Sequence, residues 1–166
     1  MKYELTNENL EIGKKNLFRI RALKDFAHVK AGDLGGWIES ESNLSQEGTC
    51  WVSGEARVFG KACVFGSAQV YDSAQVYGSA RVFGSAQVSG RACIKSVADY
   101  IVVGPAQSSG RFTTAYIVEN STVVTTGCFT GTLEEFKRAI EKTHEHNPSC
   151  LKQYRSFANL IAENFQ

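Results

Sequence analysis

The stretch from 103 to 116 contains the residues of this chain that are best suited to bind a ligand. It reads Val-Gly-Pro-Ala-Gln-Ser-Ser-Gly-Arg-Phe-Thr-Thr-Ala-Tyr. Successive backbone N–H groups in such flexible turns can form an anion-binding nest, and arginine offers phosphate a planar fork of donors. We therefore predict that Arg111 anchors an anionic group. The hydroxyl groups expected to donate hydrogen bonds beside it belong to Ser108, Ser109, Thr113 and Thr114.

The same stretch has a plain structural interpretation. The nucleotide-binding motif G-x-x-x-x-G-K-[ST] is absent from the chain. Hairpin turns rich in serine and threonine are equally common for structural reasons, because these side chains bond to nearby backbone groups. The sequence thus leaves two alternatives for 103–116, a ligand-binding loop and a simple turn.

The chain offers little of the usual catalytic chemistry. Its three histidines are His28, His144 and His146, and histidine is the commonest general base. A metal site could be drawn from His144, His146 and Cys150, with Cys128, but the spacing H-x-H-x3-C is not a standard zinc arrangement. The sequence therefore predicts no metal and no cofactor, and it favours a binding protein over an enzyme.

An aliphatic residue recurs at every sixth position in the centre of the chain. The members are Val52, Val58, Val64, Val70, Val76, Val82, Val88 and Ile94. Glycine usually follows two positions later, and alanine always follows four positions later. A period of six is commensurate with the strand period of two and not with the helix period. Short strands and tight corners should therefore stack as parallel strands about 4.8 Å apart, with the aliphatic side chains directed inward.

The run V-F-G-K-A-C-V-F-G-S-A-Q-V-Y-D-S-A-Q-V-Y-G-S-A-R at 58–81 resembles the hexapeptide-repeat family of left-handed parallel β-helices. The resemblance implies that three hexads form one triangular coil, and that three chains pack side by side. Many members of that family transfer acyl groups from coenzyme A with a histidine base. Its carbonic-anhydrase branch holds zinc with several histidines in the coils. The strict repeats of this chain contain no histidine, which disfavours both activities.

Two further segments carry a second resemblance. They are G-D-L-G-G-W-I-E-S-E-S-N-L-S at 32–45 and T-G-C-F-T-G-T-L-E-E-F at 126–136, and they resemble uncharacterised proteins of bacteriophages and prophages. The favoured hypothesis is a non-enzymatic oligomeric binding protein that sequesters a small anionic, nucleotide-like ligand or a host protein and so counters host defence. The alternatives are an acyltransferase that uses a coenzyme A thioester and a purely structural phage scaffold.

The predicted fold is mainly β: a left-handed parallel β-helix with an N-terminal β cap and two C-terminal α-helices, in one compact domain. We expect the cap at 1–33, the β-helix at 34–131 with an interruption at 103–116, and the helical segment at 132–166.

Two details of the spacing carry further predictions. Ile117, Val123 and Phe129 return to a spacing of six, which predicts that the coils resume after the interruption. The phase of the repeat slips by two residues before Val52, which predicts a bulge at Thr49–Trp51.

Aromatic residues recur at outward positions of the predicted coils. The period places Phe59 in line with Tyr77, and Phe65 in line with Phe83. Such ladders form an apolar patch, so we predict a homo-oligomer, with a trimer as the first expectation. Its interface would contain Phe59, Phe65, Tyr71, Tyr77 and Phe83. The alternative is stacking that stiffens the sheet without a partner.

A groove between subunits would bring further groups to the Arg111 site. Stacking rings beside cations and hydroxyls suit a nucleotide-like anion. The predicted additional ligand-binding residues are Arg57, Arg81, Tyr71 and Tyr77.

The composition restricts partners and compartment. A net charge of +1, from 18 basic and 17 acidic residues, does not support general binding to nucleic acid or to anionic membranes. No apolar run reaches the roughly 18 residues that span a membrane, and the first residues lack an apolar signal region. Five irregularly spaced cysteines do not form a disulfide framework. We therefore expect a protein of the bacterial host-cell cytoplasm without membrane contact.

Overall fold

The structure is a computed structural model that describes residues 1–107 and 109–165. The chain forms two compact units, Met1–Val97 and Ala98–Gln166, which are described in turn. Among the described residues, no helix combines the length and the apolar character needed to cross a membrane.

The first unit begins with an antiparallel hairpin. Strand β1 (Tyr3–Ile12) pairs with β2 (Lys15–Ala22), and β2 pairs antiparallel with β3 (Leu34–Ile38). Gly13 turns the chain between β1 and β2 with a φ of 61°. The hairpin extends one sheet of the coils that follow, and it forms the predicted N-terminal β cap.

Eight two-residue strands follow, and each ends on one of the aliphatic repeat residues, which are fully buried. Corner glycines such as Gly66, with a φ of 72°, occupy backbone conformations that a Cβ atom disfavours. The strands are β4 (Trp51–Val52), β5 (Arg57–Val58), β6 (Cys63–Val64), β7 (Gln69–Val70), β8 (Gln75–Val76), β9 (Arg81–Val82), β10 (Gln87–Val88) and β11 (Cys93–Ile94).

These strands form the three faces of a left-handed parallel β-helix of about three turns, as the repeat predicts. One face contains β3, β5, β8 and β11, a second contains β4, β7 and β10, and a third contains β6 and β9. In the regular coils Val52 pairs with Val70 and Val70 with Val88, so successive coils lie 18 residues apart.

The first coil is two residues longer than the others. Ile38 pairs with Val58, which lies 20 positions later. The N–H groups of Thr49 and Cys50 both donate to the carbonyl oxygen of Gly66, each at 2.9 Å. One acceptor serving two successive donors marks an irregularity of the ladder, so the predicted bulge is confirmed.

The second unit is an antiparallel sheet followed by two helices. The sheet order is β12 (Tyr100–Val103), β13 (Thr113–Val118), β14 (Ser121–Thr126) and β15 (Phe129–Thr132). Helix α1 (Leu133–Thr143) begins at a capping box, in which Glu135 N donates to Thr132 Oγ1 at 3.3 Å and Thr132 N donates to Glu135 Oε2 at 2.7 Å. Helix α2 (Pro148–Asn164) begins with proline in its first turn.

The two helices and the sheet enclose a common core, which confirms the predicted C-terminal helices. Its buried members are Val103, Ala106, Ala115, Val124, Phe136, Ile140, Tyr154, Ala158 and Ile161.

The prediction that coils resume at Ile117 was wrong, because β13, β14 and β15 pair antiparallel. Glu119 and Asn120, with φ of 47° and 69°, form a two-residue hairpin turn between β13 and β14. Two successive positive φ angles match the twist of a hairpin. Aliphatic spacing alone does not distinguish such a turn from a coil corner.

Asn43 provides a test of how the first coil is joined to the second. Its buried side chain donates to the carbonyl oxygens of Gly60 at 3.1 Å and Ala62 at 2.8 Å, and accepts from the N–H of Ser40 at 2.9 Å. Asn43→Ala leaves these groups without partners, so we expect a loss of about 2–4 kcal/mol in the free energy of unfolding. Urea denaturation measures the loss. Asn9→Ala, at an exposed position of β1, should change it by less than about 0.5 kcal/mol, and equal effects would contradict the role of Asn43.

Glu39 links the cap to the coils in a pH-dependent way. Hydrogen bonds from Lys15 Nζ and from the Gly60 N–H hold the pKa of this carboxyl below its usual value. Because the folded state favours the carboxylate, the stabilisation is complete above the ordinary glutamate pKa and is lost as the pH falls through the lowered value. Denaturation midpoints of wild type and Glu39→Gln should therefore differ at neutral pH and converge in acid. The exposed control Glu8→Gln should match wild type at neutral pH.

Candidate functional site

Within the predicted ligand-binding stretch, described residues on either side of position 108 close a turn between β12 and β13. The carbonyl oxygen of Ala106 accepts from the N–H groups of Ser109 at 3.2 Å and Gly110 at 2.7 Å. The Arg111 N–H donates to Ser109 Oγ at 3.3 Å. Because all three N–H groups bond within the turn, residues 109–111 do not form the predicted anion nest.

Helix α2 holds this turn in place. The Gln107 N–H donates to Gln153 Oε1 at 2.9 Å. The hydroxyl groups of Ser109 and Tyr154 lie 3.3 Å apart, within hydrogen-bond distance. The turn is therefore attached to the helical layer at two points, and it positions Arg111 against that layer.

A cleft of about 220 Å³ lies beside the turn, and the described residues that line it offer a cation, hydroxyl groups and aromatic rings but no carboxylate. Its lining residues are Ser109, Arg111, Thr126, Phe129, Phe136, Ala139, Ile140, Thr143, His144 and Tyr154. Cations beside apolar walls that carry no opposing charge favour an anionic ligand.

The guanidinium group of Arg111 is the main charge of the cleft. Within the described part of the chain it makes no hydrogen bond or ion pair, and the side chain is exposed. It lies across the turn between β14 and β15, where a Cβ atom on Gly127 would overlap Arg111 Nη1. Gly127 has a φ of 57°, so this glycine both makes the turn and leaves room for the arginine.

Tyr154 forms the aromatic centre of the cleft. The His144 ring stacks on it, with centroids 4.9 Å apart and planes at 10°. The Phe136 ring meets it edge-on at 6.3 Å. His144 directly follows α1, and its imidazole brings a second nitrogen-bearing group to the cleft.

The structure brings together only some of the residues that the sequence predicted. Arg111 and Ser109 line the cleft. Thr113 and Thr114 are 0% and 1% exposed and do not line the cleft. Strand β13 begins at Thr113, so both residues belong to the sheet and not to the predicted loop. Ser108 lies outside the described residues.

His144, Tyr154, Thr126 and Thr143 were not predicted as site residues. One signal for His144 was available in the sequence. It lies four positions after Ile140, so the two residues share the inward face of a helix.

The predicted solenoid residues lie on different faces of the β-helix. Arg57 and Tyr77 share the face of β5 and β8, Arg81 lies on that of β6 and β9, and Tyr71 follows β7. Arg81 Cζ lies 5.3 Å from the centre of the Phe65 ring. One protomer therefore does not gather the four predicted residues, and their meeting between subunits stays a prediction.

The predicted aromatic ladders are confirmed. The Phe59 and Tyr77 rings stack at 5.1 Å with planes at 7°. Those of Phe65 and Phe83 stack at 5.3 Å with planes at 12°. Phe83 is 48% exposed. The oligomer interface assigned to these residues stays a prediction.

A larger groove of about 410 Å³ between α1 and α2 is less suited to an anion. Arg155 pairs with both carboxylate oxygens of Glu141, each at 2.6 Å, and Lys137 pairs with Glu134 at 2.8 Å. Two of the cations that line this groove are thus paired with carboxylates, and the third, Arg138, donates through Nε to the Glu134 carbonyl oxygen at 3.4 Å. Across residues 1–107 and 109–165, no three His, Cys, Asp or Glu side chains come together in a group that could hold a metal ion.

Comparison with known proteins gives one informative relative. The chain is 42% identical over 59 residues to the protein named uncharacterized acetyltransferase YdcK of Escherichia coli (strain K12). The match covers 31% of this chain and 18% of that protein, so it spans about a fifth of the relative's length. No protein-family model matches the chain. The short match and the three-faced solenoid both fit a hexapeptide-repeat β-helix.

A substitution at Gly127 tests whether the turn between β14 and β15 positions the Arg111 side chain. Gly127→Ala places a Cβ against the guanidinium of Arg111, whereas Gly13→Ala, with a φ of 61°, meets nothing within 4 Å. Both variants should lose about 1–2 kcal/mol of stability through the positive φ. Only Gly127→Ala should shift the Arg111 Nε–Hε resonance in the NMR spectrum. An unchanged resonance in Gly127→Ala would show that the arginine does not rest on this turn.

Proposed function

We propose that this protein binds a small anionic ligand in the Arg111 cleft of its second unit. The observation that carries the proposal is the guanidinium of Arg111, which has no ion-pair partner among residues 1–107 and 109–165, in a cleft whose described lining contains no carboxylate. Because the exposed guanidinium has no carboxylate beside it among the described residues that line the cleft, an anionic ligand can supply the opposite charge.

The remaining walls define the class of ligand. The Tyr154 and Phe129 rings offer apolar surface, while Ser109, Thr126 and Thr143 offer hydroxyl groups. Guanidinium and hydroxyl donors together suit phosphate or carboxylate oxygens. A volume of about 220 Å³ is below that of most ligand pockets, so the cleft would enclose the anionic end of a nucleotide-like molecule and leave the rest outside.

The assembly and the biological role belong to the same proposal. Hexapeptide-repeat solenoids often form trimers, and the half-exposed ring stacks of the β-helix would contribute to such an interface. Sequestration of the ligand in a phage-infected cell, to counter host defence, rests on the two sequence segments at 32–45 and 126–136 alone. No structural feature of the cleft supports the two other hypotheses, a host protein as the partner and a role as a phage scaffold.

Acetyl transfer is the second candidate, and two observations favour it. The relative from Escherichia coli is named an acetyltransferase, and the cleft contains a histidine. Under this hypothesis the His144 imidazole would accept the proton of an acceptor amine or hydroxyl, while Arg111 would bind an anionic group of the thioester or the acceptor. His146, by contrast, is exposed beside Glu145 and is absent from the cleft.

A thermal-shift panel of inorganic phosphate, linear and cyclic nucleotides and acetyl-coenzyme A tests both functions. A ligand at a hundred times its Kd stabilises the native state by about 2.7 kcal/mol. We expect a shift with a phosphate-containing ligand that Arg111→Ala abolishes, whereas Arg138→Ala, an exposed arginine outside the cleft, should keep it. Arg111→Ala alone should change stability by less than about 0.5 kcal/mol, since the guanidinium makes no hydrogen bond or ion pair with the part of the chain that the structure describes.

The outcomes separate the two candidates. A nucleotide shift without release of free coenzyme A thiol supports binding alone. Thiol release that His144→Gln abolishes and Arg138→Ala retains supports acetyl transfer. No shift with any compound, or a shift that Arg111→Ala retains, would exclude the cleft as the proposed site.

A further inference from the structure

A lysine amine and a cysteine thiol meet inside the first unit, away from the Arg111 cleft. The side chain of Lys2 is 1% exposed, although lysine is rarely buried without an acidic partner. Its Nζ donates to the carbonyl oxygens of Cys50 at 2.9 Å and Glu47 at 3.3 Å. It also lies 3.2 Å from Cys50 Sγ and 5.3 Å from the centre of the Phe26 ring. None of these contacts is with a carboxylate.

Cys50 is the other half of this pair. It is fully buried and forms no disulfide. Among the described residues, the other polar contacts of its sulfur are with the carbonyl oxygens of Ser45, Glu47 and Val64, at 3.6–3.7 Å. The closest of its described polar contacts is therefore the lysine nitrogen. Cys50 lies in the bulge of the first coil, and both its carbonyl oxygen and its sulfur contact Lys2 Nζ.

We propose that Lys2 and Cys50 are a covalent modification site, in which molecular oxygen joins Lys2 Nζ and Cys50 Sγ through one bridging oxygen atom. In the net reaction, amine, thiol and dioxygen give N–O–S and one water. The amine loses one hydrogen and the thiol loses its own, and both leave in the water. Nitrogen and sulfur each give up two electrons, and the four electrons reduce dioxygen. If the amine begins as ammonium, its extra proton passes to solvent.

The surroundings favour this product over other oxidation products. Burial excludes large thiols that would cap Cys50 by exchange, whereas dioxygen is small and uncharged. Carbonyl oxygens orient the amine beside the sulfur and do not compete as nucleophiles. The described cysteines elsewhere lack a comparable contact with a lysine nitrogen: Cys93, for example, is exposed, and its sulfur lies 3.8 Å from the Arg91 carbonyl oxygen.

The bridge would tie the start of the N-terminal cap to the first coil. Lys2 immediately precedes β1, and Cys50 immediately precedes β4. A covalent link between them closes the chain segment that contains the whole cap hairpin, and such closure restricts the unfolded chain. Oxidation would thus lock the cap onto the β-helix.

Intact-mass spectrometry of the full chain, before and after prolonged exposure to oxygenated buffer, tests the proposal. We expect a species that has gained one oxygen and lost two hydrogens, and that dithiothreitol converts back. Digestion should give the peptide of Lys2 joined to the peptide of Cys50. Cys50→Ser and Lys2→Arg should lack the species, whereas Cys63→Ser should retain it. The oxidised protein should also unfold at a higher temperature than the reduced protein.

Each other product would overturn the proposal. Loss of two hydrogens without oxygen indicates a disulfide between Cys50 and another cysteine of the chain. Gain of oxygen without loss of hydrogen indicates sulfenic acid on a single cysteine. Retention of the bridged mass in Lys2→Arg, or no mass change in wild type, excludes the linkage. Even if a variant fails to fold, the peptide map of wild type shows whether the Lys2 and Cys50 peptides are joined.

Discussion

The structure of the first unit depends on backbone pairing between coils that lie 18 residues apart. The Ser53 N–H donates to the Val70 carbonyl oxygen at 2.9 Å, and the Tyr71 N–H donates to that of Val88 at 3.0 Å. Each coil therefore satisfies the polar backbone of its neighbour, as buried backbone requires, while the aliphatic residues stack in a dry interior.

This pairing also dictates what the corners can contain. A Cβ on Gly66 would lie 3.2 Å from the nitrogen of Gly84 one coil later, and Gly66 has a φ of 72°. Both the conformation and the close approach therefore favour glycine. Asp72 is the non-glycine exception, with a φ of 59°. Its Oδ2 accepts from the Gly90 N–H at 3.1 Å, a contact between coils that offsets the strained backbone.

The spacing of residues along the sequence predicted the architecture of the β-helix well, but it predicted the candidate site only in part. The period of six determines both the inward valines and the outward ring stacks, because all of these are properties of a strand and its corner. The burial of Thr113 depends on where β13 begins, and the order of strands after it depends on positive φ angles at Glu119 and Asn120. Neither feature follows from the spacing of aliphatic residues.

The cleft illustrates the same limit at longer range. Arg111 could be chosen from its neighbours in the sequence, but the groups that meet it come from other elements. His144 follows α1 and Tyr154 lies in α2, and they reach Arg111 only through packing of the helices on the sheet. The two hydrogen bonds that the Ala106 carbonyl oxygen accepts from turn N–H groups likewise form only when the turn closes in three dimensions.

The constant separation of paired strands in the solenoid has a consequence for how the chain folds. After the first coil, each new coil closes a loop of the same length as the last, so the entropy lost on closure does not grow as the stack lengthens. Ordered coils offer a template to the next one, and growth proceeds in one dimension. The hairpins of β13, β14 and β15 join neighbours along the chain and form without such a template. A break in a central coil therefore halts propagation of the stack and leaves these hairpins able to form.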